Sequence, residues 1–240
     1  MRFSEECFVW WAPVSAAAPL LVHLLDDVER QRISALRRSA DRARSLLGAA
    51  VLRLVVERHT GVPASRVTVH RACNRCGGPH GRPRVPGTGL HVSVSHSGDW
   101  VAVALTEAGE VGVDVEREAP IDVDELRSTV LAPGEAVRGV RDFLVCWTRK
   151  EAILKATGDG LMVPMTQVSV GAPDTPPVLG GYPDRPGLVA QLFDLVGREG
   201  HVAALAAVTE TALTIRELDA TALLAGMSSG QPASMDLPLV

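Results

Sequence analysis

Lysine is almost missing from this 240-residue chain: it occurs only at positions 150 and 155, against 22 arginines. Aromatic residues are also scarce, at 4%. With 46% hydrophobic residues a sizeable core can still form, built mainly from Ala, Val and Leu. Four cysteines are too few for a disulfide framework. No stretch approaches ~18 consecutive apolar residues, so no transmembrane helix is expected. "APVSAAAPLLVHLL" near the start follows two Glu, contains Pro and has no basic run before it, so it does not read as a signal peptide. A cytoplasmic location is the expectation. No P-loop and no G-x-G-x-x-G is present. The absence of a G-x-S-x-G elbow argues against a serine hydrolase. A net charge of −4 and a pI near 6.0 give no global reason to expect nucleic acid or a membrane as partner.

What charge there is lies unevenly. "RQRISALRRSADRAR", residues 30–44, holds six Arg and one Asp, a patch able to meet phosphates or to form a solvated helix face. Residues 35–59 read as a long helix ended by Gly61 and Pro63. A short strand "RVTVH" and a Gly/Pro-rich loop follow. Three strands come next, "HVSVSHS", "WVAVALT" and "EVGVDVE", with Val at alternate positions. The second half repeats the order. A helix over 142–157 stops at Gly158 and Gly160, a strand "MTQVSV" and a Pro/Gly-rich loop follow, then "LVAQLFDLV", "HVAALAAV" and "ALTIREL". Val67–Val69 match Val168–Val170, and the strand from Val101 matches that from Val202, both at an offset of 101. A shared offset favours a duplicated unit. The expected fold is α+β, with two similar halves related by a pseudo-twofold axis, each a long helix on a small antiparallel sheet. The halves are expected over 1–117 and 118–225, with a disordered tail at 226–240.

Chemistry concentrates in four stretches. In the strand "VGVDVE", Val111, Val113 and Val115 share one face while Gly112, Asp114 and Glu116 share the other. Two carboxylates about 7 Å apart repel unless something positive sits between them. A hard cation with oxygen ligands would serve, as in Mg²⁺ sites that add substrate phosphates; an exposed acidic strand end would read the same way. Gly112 is expected to leave open space beside the acids. In "WTRKEAILKATGDG", Trp147, Glu151 and Lys155 follow i, i+4, i+8 on one helix face. A surface pair could have used Arg, as the rest of the chain does. Lys is a compact point charge suited to a phosphate oxygen. Ser95 and His96 are neighbours on a strand and diverge, so they are not a nucleophile–base pair. Either could donate a hydrogen bond to a phosphate. "HRACNRCGGPHGRP" spaces His70, Cys73, Cys76 and His80 as ligands for tetrahedral Zn²⁺. Zinc modules normally separate two ligand pairs by a dozen or so residues. The crowding into eleven favours a loop of reduced thiols.

"VGVDVE" followed about thirty residues later by "WTRKEAILKATGDG" resembles the 4′-phosphopantetheinyl transferase superfamily of the surfactin-synthetase-activating type, whose pattern is G-x-D-x-E and then W-x-x-K-E-A-x-x-K. "CGGPHGRP" is similar to the family's adenine-contacting loop, "VSVSHS" to its Ser-His strand, and the Arg-rich helix to its coenzyme A-binding segment. The resemblance covers residues 35–160 by motif and the rest by layout. It implies transfer of phosphopantetheine from coenzyme A to a serine of an acyl or peptidyl carrier protein, with release of adenosine 3′,5′-bisphosphate. It implies Asp114, Glu116 and Glu151 as ligands of Mg²⁺ or Mn²⁺, Glu151 as general base and Lys155 as the phosphate-neutralising cation, assisted by Lys150. Ser95 and His96 would contact phosphates. Gly81, Arg82 and Pro83 would form the adenine loop, with Arg82 standing where many relatives carry Lys. Arg37, Arg38 and Arg44 would meet the 3′-phosphate. One site per monomer is expected, in the cleft between halves, because Asp114 falls on Ile215 at the repeat offset.

Two rivals remain at the level of sequence. A zinc-dependent nucleic-acid-binding module, built from residues 70–80 and the Arg-rich helix, predicts stoichiometric zinc and salt-sensitive binding. A metal-dependent phosphohydrolase of coenzyme A or a nucleotide predicts product without any carrier.

Overall fold

The strand Glu6–Pro13 (β1) runs through the middle of a four-stranded sheet. Val9, Trp10, Trp11 and Ala12 are all buried, so both faces are covered and no period-two signal survives. The computed structural model describes residues 5–73 and 75–229. Helices Asp27–Ser34 (α1) and Ser39–Thr60 (α2) follow β1. Asp26 and Glu29 form a reciprocal capping box that starts α1. α2 stops at Gly61, whose φ of 74° only glycine adopts freely. Next come His91–Ser97 (β2), Trp100–Thr106 (β3), Glu110–Arg117 (β4), Val123–Val130 (α3) and Val140–Thr157 (α4). Short strands Ser169–Val170 (β5), Leu179–Gly181 (β6) and Gln191–Asp194 (β7) lead to His201–Val208 (β8), Thr214–Asp219 (β9) and Thr221–Ser229 (α5).

The first sheet has the order β2-β3-β1-β9, antiparallel except for the β1–β9 pair; the second is an antiparallel β4-β8-β7 sheet. α2 packs on the first sheet through Val92, Val101, Val103 and Leu105. α4 packs on the second through Val202, Ala204 and Ala206. The remaining sheet faces meet each other through Val9 and Trp11 on one side and Val111, Val113, Val115 and Leu205 on the other. The result is four layers, helix–sheet–sheet–helix, and two similar α+β halves. α2 and α4, the 3₁₀ turns at Ala64 and Met165, and β3 and β8 each begin 101 residues apart. No helix among the described residues is long and apolar enough to cross a membrane.

Several expectations need correction. β4 bonds to β8 rather than β3, so the chain changes sheets at 107–109 and not after residue 117. The acidic strand therefore belongs to the second half, beside α4. The expected strand at 66–70 is reduced to a single bridge between His70 and Arg84. Residues 226–229 belong to α5, while 230–240 lie outside the described residues. The open space expected at Gly112 is filled by α4, because a Cβ there would overlap the Ala152 carbonyl oxygen and the Ala156 amide. The glycine is what lets the helix sit on β4. Gly112→Ala is expected to cost about 1–3 kcal/mol through overpacking, read as a lower urea midpoint at an unchanged slope.

Candidate functional site

The site lies where β2 crosses β4 at the junction of the two sheets. β2 alternates Val92 and Val94 with Ser93, Ser95 and Ser97. The serines take the face toward β4. Their hydroxyls accept from the amides of Val113, Val115 and Arg117 at 3.0, 3.4 and 3.1 Å. Two of them also donate to the acids, Ser95 to Asp114 Oδ1 at 2.8 Å and Ser97 to Glu116 Oε2 at 2.7 Å. This row of hydroxyls joins the sheets and aims the carboxylates at once.

α4 lies across the same strand. Lys155 Nζ reaches Asp114 Oδ1 at 2.6 Å, Ser95 Oγ at 3.0 Å and the Val113 carbonyl at 3.2 Å. Asp114 is buried, and its second oxygen, Oδ2, has no partner. Glu151, one turn before Lys155, lines the same pocket of about 320 Å³. Burial and then the Asp114 charge raise the pKa of Glu151 above the ordinary carboxylate value, and Glu116 is raised for the same two reasons, offset by its Ser97 bond. Three carboxylates lining one pocket, one of them with a buried oxygen that has no partner, fit a hard divalent cation. The oxygens share the pocket without converging. Among the described residues, the group whose ligand atoms all lie within 4.8 Å of one another is Cys73, Cys76 and His80.

These raised values carry a sign for stability. The native state binds protons more tightly than the unfolded chain, so the ionised acids oppose folding as pH rises past the ordinary carboxylate range. Without added divalent ions, Glu151→Gln is expected to raise Tm by a few degrees at neutral pH. The gain should vanish near pH 4, where both forms are neutral. Calorimetry at the two pH values checks this.

The cationic side of the pocket comes from residues that the sequence pattern did not single out. Arg71 lines it, and burial, then the nearby Arg32, pushes its pKa down to about 10. It stays charged at neutral pH, and its Nε is buried without a partner. Arg32 lines the pocket too. A buried guanidinium nitrogen left without a partner beside a cavity asks for an anion. The only hint in the sequence was membership of the Arg-rich run for Arg32 and adjacency to the Cys/His cluster for Arg71. Trp147 adds an apolar wall, and His96 stands at the mouth. Desolvation by the surrounding protein, then Arg44 and Lys155, lowers the His96 pKa and keeps the ring neutral at pH 7.

Other expected contacts fall elsewhere. Lys150 points away from the pocket. It is fully buried, with Nζ 2.5 Å from Glu135 Oε2, 2.7 Å from the Val130 carbonyl and 3.2 Å from that of Met165. This corrects the expectation that it assists at phosphate, since its charge is spent inside the second half. Arg37 and Arg38 are exposed just before α2 and do not line the pocket. Arg44 binds Asp41 and the Gly98 carbonyl, beside His96. Arg82 is tied to the Ala156 carbonyl and to Glu110. Gly81 allows the loop to press on Ala72, and Pro83 is buried; neither reaches the acids.

Comparison with known proteins gives the family context. Residues 9–108 match the family model described as 4′-phosphopantetheinyl transferase, N-terminal, and residues 110–206 match that of the 4′-phosphopantetheinyl transferase superfamily. The chain is 32% identical over 133 residues to 4′-phosphopantetheinyl transferase psf-1 of Bacillus pumilus, covering 50% of this chain and 52% of that protein. It is 31% identical over 171 residues to a phosphopantetheinyl transferase of Thraustochytrium, covering 63% and 58%. Against 4′-phosphopantetheinyl transferase Sfp of Bacillus subtilis the identity is 26% over 151 residues, covering 59% and 64%. The chain thus spans somewhat over half the length of the curated relatives it matches.

Proposed function

The chain belongs to the 4′-phosphopantetheinyl transferase superfamily, and from that premise we propose that it moves phosphopantetheine from coenzyme A to a serine of an acyl or peptidyl carrier protein. The observation that carries the reading is one pocket lined by Asp114, Glu116, Glu151 and Lys155 together with Arg71, whose Nε is buried without a partner. Acids for a cation and cationic side chains for phosphate suit a pyrophosphate ester better than either charge type would alone.

Asp114, Glu116 and Glu151 would hold Mg²⁺ or Mn²⁺, which when bound supplies charge neutralisation and polarisation of the pyrophosphate. Glu151, its proton affinity raised, takes the proton from the carrier serine hydroxyl. The serine oxygen bonds to the β-phosphorus as the bond from that phosphorus to the bridging oxygen breaks. Adenosine 3′,5′-bisphosphate leaves with that oxygen. Lys155, Arg71 and Arg32 neutralise phosphate charge, and a unit pair at 4 Å is worth about 4 kcal/mol in a semi-buried site against about 1 in bulk water. Ser95 holds Lys155 and Asp114 in register. Arg44 extends the cationic rim, neutral His96 offers a hydrogen bond beside it, and the Gly81–Pro83 backbone offers the adenine contact.

The test is to mix the protein with an apo carrier domain, coenzyme A and Mg²⁺, then weigh the carrier. A gain of one phosphopantetheinyl group is the expected result. Adenosine 3′,5′-bisphosphate formed equally without carrier would make the protein a hydrolase, and an unchanged carrier mass across fatty-acid, polyketide and peptide-type carriers would reject transfer.

A further inference from the structure

The loop between α2 and β2 doubles back within eight residues. The Cys73 amide donates to the Gly78 carbonyl at 2.8 Å, Gly77 to Cys73 at 2.9 Å and His80 to Gly78 at 2.9 Å. Gly77 takes a φ of 70°, which makes the tight reversal possible. The reversal brings a sulfur of Cys73, a sulfur of Cys76 and a ring nitrogen of His80 within 4.8 Å of one another, with Cys76 Sγ 3.0 Å from His80 Nε2. The backbone amides of Cys76 and Arg75 lower the pKa of the Cys73 thiol, favouring the thiolate. A Cβ at Gly78 would lie 3.3 Å from Cys76 Sγ and 3.2 Å from His80 Cδ2, so that glycine keeps the space between the ligands clear.

We infer that Cys73, Cys76 and His80 form a structural transition-metal site, for which Zn²⁺ is the ion selected by two thiolates and an imidazole. Zn–S bonds of about 2.3 Å and Zn–N bonds of about 2.0 Å place tetrahedral ligand atoms roughly 3.5 Å apart, within the spread found in the loop. His70 is not part of the set; its backbone pairs with Arg84 instead. Water or another small ligand takes the fourth position. The crowding that argued against zinc in the sequence loses its force, because the fold around this knuckle does not depend on two distant ligand pairs closing over an ion. The knuckle sits on a base closed by the Gly81 amide bonded to the Arg71 carbonyl at 2.7 Å and by the His70–Arg84 bridge.

The consequence concerns the pocket. Arg71 leaves the loop two residues before Cys73, and Arg82 leaves it two residues after His80, bound to α4. An ion clamping the knuckle holds these two guanidinium groups at a fixed separation, one aimed into the cavity and one fastened to the helix that carries Glu151.

The full-length chain, purified without chelators, should carry about one equivalent of zinc by plasma mass spectrometry. Cys73→Ser and Cys76→Ser should each lower that content at least tenfold, while Cys146→Ala, remote in α4, should leave it unchanged. Co²⁺ added to the metal-stripped chain should give a thiolate-to-cobalt charge-transfer band and strong tetrahedral visible absorption. Zinc below ~0.1 equivalent together with no charge-transfer band in the unaltered chain would overturn the site. So would undiminished metal in both serine variants. The cobalt titration uses the unaltered chain, so a folding failure in a variant does not blunt the result, and no readout depends on transfer activity.

Discussion

Glu151→Gln is expected to slow phosphopantetheine transfer by about 10²–10⁴-fold while the protein stays folded. Gln keeps the volume and one oxygen but cannot accept the serine proton. The parent rate should climb with pH as Glu151 ionises, because only the ionised carboxylate is a base. That acidic limb should disappear in the variant. Initial rates of adenosine 3′,5′-bisphosphate release across pH measure both effects. A loss of less than about threefold, with the limb intact, would assign proton removal to another group. The variant should also be no less stable than the parent, so inactivity from misfolding would show at once as a lower Tm.

Lys150→Met is expected to destabilise the fold by about 3–5 kcal/mol. The substitution removes the cation from a fully buried pair and leaves Glu135, whose side chain is 9% exposed, with its charge uncompensated. Glu135 also accepts from the Ala132 and Val170 amides, so the pair pins the segments on either side of α4. Lys155→Met should differ by strongly reducing transfer; it too costs stability, because it strips the cation from Asp114, whose side chain is 5% exposed and keeps only the Ser95 hydroxyl. Urea unfolding and transfer rates, measured together, separate the two. Adding Glu135→Leu to Lys150→Met should recover part of the loss, because no lone charge then remains buried. A cost for Lys150→Met below about 1 kcal/mol would show that the pair adds little to the fold.

The two lysines show how far the sequence could be read. Their rarity marked α4 as unusual, and the i, i+4, i+8 spacing placed Trp147, Glu151 and Lys155 on one face, where they are found. The same reasoning misled for Lys150. One residue of helical phase sends it to the opposite side, and nothing local announced that Glu135 waits there. The acids of β4 were legible because period-two alternation separates Asp114 and Glu116 from the valines. Their membership of the second sheet was not, since pairing with β8 across about ninety residues leaves no local trace. β1 escaped notice because a strand buried on both faces looks like any apolar run. Arg71 was invisible as a site residue for a related cause: only the folded loop turns it inward, and the sequence holds twenty-one other arginines.

The hydroxyl row on β2 makes the geometry of the acids and the spacing of the two lobes a single mechanical variable. Ser95 and Ser97 each hold one amide and one carboxylate of the same strand, and Ser95 also holds Lys155, so deleting the hydroxyls releases three bonds at Ser95 and two at Ser97 across the seam. Whatever draws the carboxylates inward also cinches the lobes. Ligand affinity and resistance to mechanical opening should therefore rise and fall together in this molecule.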